Sequence, residues 1–119
     1  MLSGIGPIFL QLAQRVEEDI INGTFAEESI VPSTNEYAVF YHISPITISK
    51  GINLLVDRGV LYKKRGIGMF VVPGAREQLR AERKKAFRDQ HLSSLLQEAQ
   101  LLGIDRDELA DMIRQKDVP

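Results

Sequence analysis

The stretch VPSTNEYAVFYHISPITISKGINLLVDRG, residues 31–59, holds two helix-start signals eleven residues apart. Ser33-Thr34-Asn35-Glu36 is a capping box, in which the serine accepts from the N–H of residue 36 and Glu36 reaches back. Ser44-Pro45 is a cap followed by proline at the first helical position, where its missing N–H costs nothing. The spacing predicts a helix over about residues 34–41, with Tyr37, Ala38 and Phe40 as core residues, and a turn at His42-Ile43. The helix that follows carries Ile48, Ile52, Leu55 and Val56 as one apolar stripe, points Thr47, Lys50 and Asn53 elsewhere, and stops at Gly59.

The flanks complete a recognisable order. Pro7 opens an earlier helix with Ile8, Phe9, Leu12, Ala13, Val16 and Ile20 at helical spacing; Gln11, Gln14, Arg15, Glu18 and Asp19 fill its other side, and Asn22-Gly23 ends it. A loop holding Phe25 and Glu27-Glu28 leads to Val31-Pro32. After Gly59, Val60–Lys63 and Met69–Val72 read as two short strands around an Arg65–Gly68 turn. Helix, helix, turn, helix, hairpin is a winged helix-turn-helix. Pro73-Gly74 closes it, which sets expected domains of 1–73 and 74–119. Residues 75–102 are again helical, with Leu92, Leu95, Ala99 and Leu102 on one side. After Gly103, Asp105 opens a last helix with Leu109, Met112 and Ile113. The fold class is mainly α with a small β-hairpin: a winged helix-turn-helix plus a two-helix C-terminal dimerisation tail.

Charge shows what the fold is for. The net charge of −1 hides a division: −5 over residues 1–43, +4 over 44–72 and zero over 73–119. An anionic partner would feel the basic middle whatever the overall balance. The B-DNA major groove admits one α-helix, and helix N-termini favour phosphate. Ser44, Ile46, Thr47 and Lys50 can therefore donate to phosphate, read base edges or touch a thymine methyl. Lys63, Lys64 and Arg65 can meet phosphate from the hairpin, where Gly66 and Gly68 let the backbone approach closely.

Other chemistries find little support. The chain has no cysteine, which excludes disulfides and thiolate metal sites. His42 and His91 are isolated, so no metal or other cofactor is expected. Gly66-x-Gly68 lacks the following helix and Lys-Ser/Thr of a nucleotide loop. No carboxylate pair suggests acid–base catalysis, so an enzyme is not expected. At 119 residues and 44% hydrophobic the chain suits one compact core with an appendage. It has no run of about 18 apolar residues that could cross a membrane. MLSGIGPIFLQLAQ has no basic n-region, so no signal peptide is expected and the chain reads as cytoplasmic.

PIFLQLAQRVEEDIINGTF, VPSTNEYAVFYHIS and PITISKGINLLVDRGVLYKKRGIGMFV together resemble the DNA-binding domain of GntR-type bacterial transcription regulators, over roughly residues 7–72. The short helical tail is similar to the YtrA-type subgroup. The resemblance implies positioning contacts from the Pro32-Ser33 start, a recognition-helix role for Thr47 and a wing role for Gly66. It also departs at two arginines common in the family: Asn35 stands at one, and Ser49, beside Lys50, at the other. The operator sequence is therefore not carried over.

These readings lead to a sequence-specific double-stranded DNA-binding transcription regulator, a dimeric repressor on a palindromic operator. DNA contacts are expected from Ser33, Asn35, Ser44, Ile46, Thr47, Ser49, Lys50, Lys63, Lys64, Arg65 and Gly66. A homodimer is expected through Leu92, Leu95, Ala99, Leu102, Leu109, Met112 and Ile113, because two-fold proteins match palindromic half-sites. Two alternatives stay open: a sensor with a metabolite between the tail helices, its effector unidentified, and a winged helix that binds an acidic protein.

Overall fold

A computed structural model describes Leu2 and residues 4–116. Met1, Ser3 and residues 117–119 of the expected domains lie outside the described residues. Two compact units result, Met1–Arg80 and Ala81–Pro119.

In the first unit, helix α1 (Ile8–Ile21) buries Leu12, Ala13, Val16 and Ile20. Its first turn departs from expectation, because Ile8 is exposed. So does Gln11, which is buried: its amide accepts from the N–H of Gly4 at 3.0 Å and donates to the carbonyl of Gly6 at 2.8 Å, tying down the entering chain. Helix α2 (Thr34–Tyr41) has the expected capping box, with Ser33 and Glu36 bonding each other's backbone N–H at 3.1 and 2.9 Å. It buries Tyr37 and Ala38 but not Phe40, which is 71% exposed. Its eight residues present only one side to α3 and the core, and Phe40 falls off that side. His42 ends it in the left-handed conformation, with φ 56°.

Helix α3 (Pro45–Asp57) starts at the Ser44 cap and buries Ile48, Gly51, Ile52 and Leu55. Val56 is only half-buried. Strands β1 (Leu61–Lys64) and β2 (Gly68–Val71) form the antiparallel hairpin, with Leu61 opposite Val71 and Lys64 opposite Gly68. Each begins one residue from its expected start. The segment read as a plain loop before α2 adds a third edge. Ile30 bridges to Phe70, the Val31 N–H donates to the Met69 carbonyl at 2.9 Å, and the Val71 N–H donates to the Ser29 carbonyl at 3.0 Å.

The hydrophobic core gathers Leu12, Val16 and Ile20 of α1, Ile48 and Leu55 of α3, and Val60, Leu61 and Val71 of the hairpin. Each such side chain contributes about 1.5–3 kcal/mol when fully buried. Helix α4 (Ala75–Ala86) starts beyond the boundary expected at 73, yet Ala75 and Leu79 are fully buried in this same core. The Arg76 guanidinium donates to the Ile21 carbonyl at 2.9 Å, capping the end of α1. The compact unit therefore reaches Arg80.

In the second unit the helix expected to run unbroken through residue 102 widens into a π-helical turn over Phe87–Leu92, then resumes as α5 (Ser93–Leu101). The Ser93 hydroxyl donates to the Arg88 carbonyl at 3.1 Å within that widened turn. Gly103 turns the chain with φ 74°, and Asp105 caps α6 (Arg106–Gln115) by accepting from the Glu108 N–H at 2.8 Å. Among the described residues no helix is long and apolar enough to cross a membrane.

Candidate nucleic-acid interface

The core face of α3 fixes what its opposite face can do. With Ile48, Gly51, Ile52 and Leu55 inward, helical spacing leaves Ile46, Lys50 and Asn53 as one outward stripe. Ile46 is 77% exposed, so its aliphatic surface is unspent. Asn53 was not among the expected site residues; its i+3 spacing from Lys50 is the signal that could have found it. Ser44 and Thr47 are tied together at the N-terminus, hydroxyl to hydroxyl at 3.1 Å, and the Thr47 N–H donates to the Ser44 hydroxyl at 3.3 Å. Thr47 is half-buried rather than exposed.

Beside α3 lies a cleft of about 400 Å³. Ser33 of the α2 start, Ser49 and Asn53 of α3, and Lys63 and Ile67 of the hairpin line it. Hydroxyl, amide and ammonium groups from three separate elements thus meet there, together with the Glu36 carboxylate and a mostly apolar wall that includes Ile30, Ile52, Val56 and Met69. Asn35, Ser44, Arg65 and Gly66 are exposed outside that lining.

The run Lys63-Lys64-Arg65 does not act as one patch. Successive strand residues point to opposite faces. Lys63 and Met69 share the face of buried Leu61 and Val71, toward the cleft. Lys64 lies on the other face, its ammonium 4.3 Å from the centroid of the Phe70 ring and 5.9 Å from that of Tyr62. Lys50 likewise rests 4.9 Å from the centroid of Phe9 on α1. Such contacts are worth about 0.5–1 kcal/mol at exposed sites, so phosphate can compete for both ammonium groups. Arg58 drops out of the basic stretch altogether. It pairs with the buried carboxylate of Glu17 at 3.2 Å, joining α3 to α1. Among the described residues, no carboxylate pairs with Lys50, Lys63, Lys64 or Arg65.

The expected dimer residues divide as well. Leu92, Leu95, Leu102, Met112 and Ile113 are exposed, but Ala99 and Leu109 are buried at 5% and 9%. Those two pack within their own unit, where the Ile104 N–H donates to the Ala99 carbonyl at 2.8 Å. Leu101, not among the expected residues, is 79% exposed.

Residues 9–71 match the family described as bacterial regulatory proteins, gntR family. The transcriptional repressor YtrA of Bacillus subtilis is 27% identical over 109 residues, covering 92% of this chain and 83% of that protein. A protein of Bacteroides thetaiotaomicron described as a transcriptional regulator of the GntR family is 35% identical, with a TM-score of 0.75 over 91% of this chain and 94% of that one. The DNA-binding domain of AraR in complex with its operator ORX1 is 28% identical, with a TM-score of 0.57 over 60% of this chain and 93% of that one. Some curated relatives are much longer: the chain spans 27% and 30% of the length of two that match over 65 and 72 residues.

Proposed function

The chain belongs to the gntR family of bacterial regulatory proteins, and from that premise we propose that this DNA-binding transcription regulator is a cytoplasmic, dimeric repressor acting on a palindromic operator. Helix α3 enters the major groove. Thr47, Lys50 and Asn53 meet bases or their near edges, and Ile46 meets a thymine methyl. Ser33, Asn35, Ser44, Ser49, Lys63, Lys64, Arg65 and Gly66 position the duplex through its backbone. The hairpin lies against the backbone or the neighbouring minor groove. Exposed Leu92, Leu95, Leu101, Leu102, Met112 and Ile113 pair two protomers, matching two half-sites. The observation that carries this reading is the exposed outer stripe of α3, Ile46, Lys50 and Asn53, beside the hairpin cations Lys63, Lys64 and Arg65, none of which pairs with a carboxylate among the described residues.

Selection from a random duplex pool tests it, with an inverted repeat as the expected product. A protein that neutralises one phosphate fewer shows a salt slope of binding lower by about 0.9. Lys63→Ala should therefore lower the slope by about one and weaken all sequences alike, whereas Lys64→Ala, which starts from a ring-stacked position, should cost less. A slope unchanged by Lys63→Ala removes Lys63 from the interface, and one unchanged by joint replacement of Lys63, Lys64 and Arg65 with alanine removes the hairpin.

One observation favours a second reading. A cleft of about 480 Å³ lies between α5 and α6, lined by Leu96, Ala99, Gln100, Ile104 and Leu109. It suits a small, partly apolar effector that would tune the dimer. Thermal-shift screening of metabolites checks this, and a Leu109→Trp variant that fills the cleft should abolish any shift.

A further inference from the structure

The tip of the hairpin carries an apolar side chain that the protein itself does not use. Ile67 sits between Gly66 and Gly68, whose φ values are 78° and 150°. Its N–H donates to the Lys64 carbonyl at 2.9 Å, so the turn is closed and the side chain is held outward. Ile67 is nevertheless 67% exposed. The base of the tip lies close to Ile30: a Cβ on Gly68 would stand 2.9 Å from its Cδ1. Lys63 and Arg65 supply charge immediately before it, and Ile67 shares the cleft with Ser33, Ser49 and Lys63. The tip is thus an exposed aliphatic side chain on a closed turn, with cations on the strand that leads into it.

The consequence rests on the proposed operator binding. If α3 occupies a major groove, one sugar–phosphate strand separates it from the next minor groove. The exposed hairpin cations Lys63, Lys64 and Arg65 would grip that strand, which leaves Ile67 at the minor groove beyond. We propose that Ile67 is a specificity-determining residue that selects A·T over G·C base pairs beneath the hairpin. The minor-groove edges of A·T and T·A carry acceptors alone, and G·C adds the amino group of guanine. That amino group projects from the groove floor and keeps an aliphatic chain away from it. Ile67 offers it no acceptor, so covering it would strand a donor. Pyrimidine–purine steps such as TA also yield most readily to an apolar wedge.

Inosine separates this from readout in the major groove, because an I·C pair keeps the major-groove edge of G·C and lacks the amino group. Duplexes carrying the selected half-sites, with A·T, I·C or G·C beneath the hairpin, should bind the full-length protein in two classes. A·T and I·C should bind alike, and G·C about five- to tenfold more weakly. Ile67→Ala, whose melting temperature should match the parent's, should shrink that difference to about twofold or less and keep the half-site preference and salt slope. The inference is overturned if I·C behaves as G·C does, or if Ile67→Ala discriminates as the parent does. A parent protein that selects no half-site overturns the operator reading as well; a selected half-site with indifferent flanks overturns this inference alone.

Discussion

Gly51 is buried where α3 crosses α1, and a Cβ there would stand 2.7 Å from the Phe9 carbonyl oxygen, a backbone atom that cannot swing aside. Gly51→Ala should therefore destabilise the protein by about 1–3 kcal/mol, as overpacking does. Urea unfolding measures it, and it should also shift Lys50, one residue away, relative to the DNA. Glu36 offers a pH-dependent counterpart. The Ser33 backbone N–H, and then its hydroxyl, hold the Glu36 carboxyl below the usual carboxylate range. A carboxyl lowered on folding adds stability above its unfolded pKa, and that stability is lost as pH falls through the folded value. The melting temperature should fall on acidification below roughly pH 4, and Glu36→Gln should remove that component of the fall. A Gln variant with an unchanged acid profile would show that the capping box does not titrate.

At the scale of elements, both caps and the hairpin were legible because each is settled between neighbouring residues. Ser33 finds its partner three residues on, and the glycines of the turn adopt backbone angles that other residues resist. The docking of α4 was not legible, since Ala75 and Leu79 look like ordinary helix residues until the core they enter is known. Leu79→Ala should cost about 2–5 kcal/mol in chemical denaturation, although Leu79 lies outside the expected winged-helix boundary. A fragment ending at residue 73 should melt well below one ending at residue 86, since it loses Ala75 and the Arg76 hydrogen bond as well as Leu79. Equal melting temperatures would place Leu79 outside the cooperative unit. The hairpin's two lysines show the same limit: alternation predicts that they diverge, but only the buried Leu61 and Val71 decide which one faces the cleft.

For the whole molecule, the prediction concerns assembly. Leu101 and Leu102 are 79% and 63% exposed on α5 and at its end, where the proposed dimer would cover them. If the proposed dimer forms there, Leu101→Asp with Leu102→Asp should leave a monomer in analytical ultracentrifugation where the parent is dimeric. Palindromic DNA should then bind at least tenfold more weakly, while a single half-site binds as before. A variant that stays dimeric would move the interface off this surface.

Sequence alone determined the order of helices, turn and hairpin in the first unit, the caps that start α2, α3 and α6, and the cations on and beside α3. These follow from periodicity and from bonds between residues three or four apart, which are written in the chain itself. Tertiary structure decided which of those groups remain available. It withdrew Arg58 into a pair with Glu17, turned Ala99 and Leu109 inward, laid Lys50 and Lys64 on aromatic rings, and left Phe40 and Ile67 uncovered. Availability depends on what distant segments bring alongside, and no local pattern encodes that.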